Sequence, residues 1–106
     1  MTAEWKPVLG WEGLYEVSDT GGVWSIRRGR PLKPFTNKLG YQLVDLKDRG
    51  RREMTRVHRL VCTAFHGEQP PDRPLVMHLD NDPGNNQASN LKWGTQLENM
   101  GHASQS

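Results

Sequence analysis

Between Arg56 and Phe65 the chain changes its period. Val57, Leu60, Val61, Ala64 and Phe65 recur at the three- and four-residue spacing of an amphipathic helix. Thr55 stands where a cap belongs, and Gly67 with the Pro70-Pro71 pair ends the run. Upstream the pattern is that of short strands. Trp11, Leu14, Tyr15 and Val17 precede the turn chemistry of Ser18-Asp19-Thr20-Gly21-Gly22. Val23, Trp24 and Ile26 follow as a second strand, broken at Gly29-Arg30-Pro31. Tyr41, Leu43 and Leu46 then alternate with polar residues, Asp48-Arg49-Gly50 turns the chain, and residues 51–55 return as the other arm of a hairpin.

Downstream, residues 75–79 are long enough for one strand. Residues 80–90 form a loop around Pro83-Gly84, and residues 91–93 make a return strand. Thr95, with Glu98 three residues later, has the form of a capping box for a last helix from Gln96 to His102. The expected fold class is α+β. An N-terminal antiparallel β module over residues 1–54 is followed by a helix and a strand–loop–strand–helix unit over residues 55–106, the two forming one compact domain.

Composition narrows the function. With 34% hydrophobic residues, eleven glycines and seven prolines, the core is small and the strands are short. Four tryptophans supply buried area that the few aliphatic residues cannot. No apolar run approaches the roughly 20 residues that cross a bilayer, and the MTAEWKPVLG start lacks the basic and apolar regions of a signal peptide. Cys62 is alone, which excludes a disulfide framework and a cysteine-based zinc knuckle. A soluble, cytoplasmic protein without membrane contact is expected.

The formal net charge of +2 hides an uneven distribution. Residues 1–26 hold one lysine against four acids, and residues 60–106 hold two bases against five acids. Residues 27–59 hold eleven Lys and Arg against three acids. A basic middle between acidic flanks suits a polyanion. Arg27, Arg28, Arg30, Lys33, Lys38, Arg49, Arg51, Arg52 and Arg56 are the candidate contacts to nucleic acid. For a generic domain, the same residues read as a solvated surface.

The remaining feature is LVMHLDNDPGNNQASNLKWGTQLENM, residues 75–100. One histidine, His78, closes an apolar run, and five asparagines follow it: Asn81, Asn85, Asn86, Asn90 and Asn99. Taken singly, His78 reads as a hydrogen-bonded core histidine and the asparagines as turn, cap and surface residues. Asp80-Asn81-Asp82 has the start of a calcium loop, but Pro83, and Leu91 where a bidentate Glu is needed, reject that reading.

Taken together, the blocks VHRLV (57–61), HLDNDPGNN (78–86), NLKWGT (90–95) and EN (98–99) resemble the HNH, or ββα-metal, nuclease family. The segment WEGLYEVSDTGGVWSI is similar to the small β module that often precedes HNH domains in phage and intron-encoded homing endonucleases. The resemblance implies a metal-dependent DNA endonuclease or nickase, phage-encoded and working in a bacterial cytoplasm as a monomer or weak dimer. It places the three motif positions at His78, Asn90 and Asn99. His78 is the general base, Asn90 cross-links the loop and keeps His78 aimed, and Asn99 holds a divalent cation. His102, three residues after Asn99 on the same helix face, either completes the metal site, grips the scissile phosphate or is a frayed terminal residue. Imidazole titrates where a water-activating base must, and oxygen ligands suit Mg²⁺ or Mn²⁺, with Zn²⁺ and Ni²⁺ as alternatives. His58, in VHRLV, reads as a structural residue that packs the helix against the ββα unit. One position departs from the family pattern. Many members carry Asp or Asn just before the histidine as a metal ligand, and here the residue is Met77. That departure leaves room for a non-catalytic DNA-binding module with a degenerate site, and a phage structural or packaging accessory protein stands as a further rival from another class.

Overall fold

The structure, a computed structural model, describes residues 3–95 and Leu97. Strands β1 (Trp5–Pro7), β2 (Tyr15–Ser18), β3 (Val23–Ser25) and β4 (Arg30–Pro31) form an antiparallel sheet in that order. Val17 and Val23 lie opposite each other, both buried, and fix the register of β2 on β3. The turn between them is closed by Ser18, whose Oγ accepts the Gly22 N–H at 2.8 Å. Gly21 takes φ +94 there, a backbone state that side chains disfavour.

A second sheet holds β5 (Phe35–Thr36), β6 (Gln42–Asp48) and β7 (Arg51–Arg56). On β6, Val44 and Leu46 face the core while Asp45 and Lys47 face outward. The two-residue turn at Arg49 and Gly50 has positive φ at both positions, as a tight hairpin of this length prefers. β7 runs straight into helix α1 (Val57–His66), whose Val57, Val61 and Cys62 are fully buried. Strands β8 (Leu75–His78) and β9 (Leu91–Gly94) pair antiparallel, with a 3₁₀ turn at Ala88–Asn90 leading into β9. One core cluster joins the three sheets and the helix, from Val8, Trp11 and Tyr15 through Leu46 and Val61 to Leu91 and Trp93. The Tyr15 hydroxyl, which donates to the Lys47 carbonyl at 3.1 Å and accepts the Lys47 N–H at 3.0 Å, joins the first sheet to the second.

The structure corrects several local expectations. The N-terminal region has four strands where two were expected, because Trp5–Pro7 and Arg30–Pro31 pair at the sheet's edges. Pro31 lies in an edge strand, where a missing N–H is tolerated. Trp11 and Leu14 lie in the tight turns before β2 and outside any strand. Thr55 does not cap α1. It is spent in the ladder opposite Val44, and the cap position falls to Arg56, which makes no side-chain cap bond. The expected last helix, with its Thr95–Glu98 capping box, lies outside the described residues apart from Leu97, which is helical.

Leu46 is fully buried at the junction of hairpin and helix. Truncation to Ala removes packed methyl groups that the surrounding strands cannot replace, so Leu46→Ala lowers stability by about 2–5 kcal/mol, measurable by urea or thermal unfolding.

Candidate active site

His78 ends β8 opposite Leu91 and is 8% exposed. Its Nε2 lies 3.0 Å from Oδ1 of Asn86. A carboxamide oxygen only accepts, so Nε2 carries the proton and Nδ1 keeps the lone pair. Asn86 is itself buried, at 4% exposure. Its neighbourhood is set by the N-terminal sheet: the Ala88 N–H donates to the Asp19 carbonyl at 2.8 Å. A Cβ placed on Gly21 would stand 3.1 Å from the Asn86 Cβ and 3.2 Å from its carbonyl oxygen. The turn after β2 is therefore a backstop for the residue that holds the histidine.

Two aromatic rings wall His78. His58 of α1 meets it edge-on with centroids 5.3 Å apart, and Tyr41 lies 5.9 Å away, tilted. Arg56 covers the Tyr41 ring at 5.4 Å. His58 is buried and its Nδ1 has no hydrogen-bond partner among the described residues. Burial pushes its pKa down to about 3, and the nearby His78, Arg56 and Arg59 push in the same direction. A neutral imidazole thus sits beside His78 at any working pH. Cys62, on the same helix, is a buried thiol raised to about 12, again by burial, and is no nucleophile.

The loop after His78 is cross-linked by amides. Asn90 Nδ2 donates to Asp80 Oδ1 and to the Asn85 carbonyl, both at 2.9 Å, while its Oδ1 accepts the Asp80 N–H at 3.1 Å. Asn85 Nδ2 donates to the other Asp80 oxygen at 2.8 Å. These bonds hold the Asp80 carboxyl down to about 2; the Asn85 amide contributes most, followed by the Asp82 N–H and the Asn90 amide. Asn90 also accepts the Leu79 N–H on its backbone carbonyl, at 2.8 Å. It joins the two ends of the loop directly beside His78.

The basic residues divide into two groups. Arg27 pairs with Asp48 at 2.7 Å, and Arg52 grips Asp45 through Nε and a terminal nitrogen. Arg51 lies 3.7 Å over the Trp11 ring and donates to the Gly10 carbonyl. Arg28, Arg30 and Lys33 are exposed and line a groove of about 430 Å³ with Lys47, Asp45 and Phe35. Lys38 is exposed in the turn before β6, and Arg49 in the β6–β7 turn.

Met77 is buried, on the face of β8 opposite to His78. Asn99 and His102 lie outside the described residues. Among the described residues, no three His, Cys, Asp or Glu side chains converge as a metal site would require. The donors around His78 are its own imidazole, the Asn86 carboxamide bonded to it and the His58 imidazole beside it, a set that does not by itself fit a hard cation.

Comparison with known proteins agrees with this geometry. The NUMOD4 motif model matches residues 4–47 and the HNH endonuclease model matches residues 55–101. The chain belongs to the HNH endonuclease family, with a NUMOD4 motif ahead of the HNH unit. It is 42% identical over 97 residues to DNA endonuclease I-HmuI of Bacillus phage SP01, covering 92% of this chain and 55% of that protein. An uncharacterized HNH endonuclease of Acanthamoeba polyphaga mimivirus is 36% identical over 88 residues, covering 83% of this chain and 26% of that protein. The solved structure of I-HmuI, described as showing DNA binding and cleavage by an HNH homing endonuclease, superimposes with a TM-score of 0.87 at 39% identity. It covers 96% of this chain and 58% of that one. The chain thus spans about half the length of the phage relative and a quarter of the viral one. The α+β architecture expected from the sequence is that of the I-HmuI structure. The family implies a divalent metal. No helix among the described residues is long and apolar enough to cross a membrane.

Asn86 is the site residue that sequence reasoning missed. It read as one turn-former among five asparagines, and only its place eight residues after His78, on the far limb of the loop, marks it out.

Because His58 has a lower pKa in the folded chain than its ordinary 6.5, the unfolded chain binds a proton that the folded one refuses. Its contribution to stability is therefore lost progressively as the pH falls from about 6.5 to about 3. His58→Phe, which keeps the ring and removes the titration, is expected to flatten the fall in melting temperature across that window.

Proposed function

We propose that the chain hydrolyses phosphodiester bonds in double-stranded DNA, as an endonuclease or nickase of homing type, with His78 as general base. The observation that carries this is the bond from His78 Nε2–H to Asn86, which leaves Nδ1 as the nitrogen able to take a proton from water. Residues 55–106 supply the chemistry. Asn90 ties the loop so that the base keeps its direction, and His58 and Tyr41 limit the ring's rotation. The divalent ion implied by the family supplies charge stabilisation at the phosphate when bound. Asn99 and His102 are its proposed ligands, and Mg²⁺ or Mn²⁺ is the ion that an oxygen donor such as Asn99 favours. Residues 1–54 carry the DNA contacts, chiefly Arg28, Arg30 and Lys33, whose groove is concave and basic. The protein is phage-encoded, like the Bacillus phage relative, and acts as a monomer or weak dimer in a bacterial cytoplasm.

A second reading has one observation in its favour. Met77 offers a buried thioether where many family members carry a metal-binding Asp or Asn, so a DNA-binding module that has lost its metal is the rival. Supercoiled plasmid incubated with Mg²⁺, Mn²⁺, Zn²⁺ or EDTA separates the two. The proposal expects metal-dependent nicking that falls about 10²–10⁴-fold in His78→Ala, with DNA binding kept. Binding without nicking under every metal would establish the rival, and full activity in a folded His78→Ala protein would remove His78 from the chemistry.

The groove carries a separate expectation. Charge removal at Arg28, Arg30 and Lys33 weakens binding to unrelated DNA sequences equally and flattens the slope of log affinity against log salt by about one unit per lost phosphate contact. Removal of Arg52, already bound to Asp45, changes the slope less. Fluorescence anisotropy over a salt series reads both.

A further inference from the structure

The bond that selects the tautomer of His78 has a second stage. A carboxamide presents its oxygen or its NH₂ with nearly equal shape, so Asn86 alone does not dictate which nitrogen of His78 is protonated. With its oxygen toward Nε2, Asn86 fixes the proton on Nε2; turned over, it would donate to Nε2 and leave the proton on Nδ1. In the structure the direction of the Asn86 amide is tied to the partner at its other end. Asn86 Nδ2 donates to Oε1 of Gln42 at 3.2 Å. Gln42 is the first residue of β6, opposite Thr36, and is 44 residues from Asn86 in the chain.

We propose that Gln42 is a positioning residue for the nuclease reaction: it holds the Asn86 carboxamide with its oxygen toward His78 and so sets, from the N-terminal module, the tautomer that makes Nδ1 the base. The chain of donors runs in one direction, from His78 Nε2–H to Asn86 Oδ1, and from Asn86 Nδ2–H to Gln42 Oε1. Both bonds lie in partly or fully buried surroundings, where an unmade bond costs more than it does in water. Turning Asn86 alone would set its oxygen against the oxygen of Gln42, two acceptors face to face, so the two carboxamides keep their direction together. Gly21 adds the steric half of the device, since the bare turn there backs the Asn86 main chain. The orientation of the base therefore draws on residues that the NUMOD4 motif contributes, and catalysis is shared between the two matched regions.

The inference rests on His78 as the base, but its test does not need cleavage. The tautomer of His78 is read directly from ring ¹⁵N shifts in histidine-labelled full chain above pH 8, with His78→Ala assigning the signals. Wild type is expected to show Nε2–H. Gln42→Leu, which cannot accept, is expected to show mixed tautomers and a kcat for plasmid nicking reduced about tenfold, with KM and the salt dependence of binding unchanged. Gln42→Glu, which can only accept, is expected to restore Nε2–H and most of the rate, and it decides the matter alone should the leucine variant fail to fold. Wild-type shifts and rate in a folded Gln42→Leu protein would overturn the proposal, as would an Nδ1–H tautomer in Gln42→Glu. An inactive wild type would defeat the nuclease reading, while the ¹⁵N spectra would still decide the role of Gln42.

Discussion

One ten-residue helix gives this small molecule its coherence. Among the described residues none of the three sheets has more than four strands, and several strands are two or three residues long. Such sheets hold in water only with a buried face. α1 provides that face for all of them: it touches β1 and β2 of the first sheet, β6 and β7 of the second, and both strands of the third. Val57, Val61 and Cys62 fill the shared interior. His58 is on the same helix, one residue after Val57, so the element that unites the core also delivers the ring that walls His78. Packing and site geometry are set by one rigid body.

The loop between β8 and β9 solves a different problem. Twelve residues with Pro83 and Gly84 among them form no strand and only one 3₁₀ turn, yet they must keep His78 and Asn86 in register. Side-chain amides replace the missing ladder. Asn90 and Asn85 both converge on Asp80, whose charge favours the donors and whose depressed pKa is the measure of that preference. The carboxylate is an internal anchor here and is committed to three donors before any ligand arrives. Asparagine suits this work because one side chain both donates and accepts at short range.

Local order was legible wherever neighbouring residues decide it. The hairpin turn at Asp48-Arg49-Gly50, the helix from Val57 and the strand–loop–strand order after Leu75 all follow from periodicity and turn chemistry. The role of Asn90 as a loop cross-link could be stated from the family resemblance, and its hydrogen bonds fit that description. What stayed hidden depends on contacts between distant segments. β1 and β4 are too short to have a pattern and exist because β2 and β3 offer edges to pair with. Thr55 has the chemistry of a cap, but the β6 ladder claims it first. Arg51 and Arg52 look like free cations until the fold brings Trp11 and Asp45 to them. Asn86 belongs with these: its meaning comes from Gln42 and Gly21, far upstream, and no local reading of five asparagines could single it out.

The missing side chain at Gly21 bears on how such a protein can be recombined. Matched motifs that adjoin in one chain invite treatment as exchangeable cassettes, cut at the boundary near residue 54 and spliced to other partners. Here the seam does not lie at that boundary. It runs through the turn after β2, where a single extra methyl group would press on Asn86, and through the Asp19 carbonyl that receives the Ala88 N–H. A transplanted N-terminal cassette must therefore bring a bare residue at this turn, or the recipient's loop must be recut to receive it. Compatibility between the halves is written in a place where there is no atom.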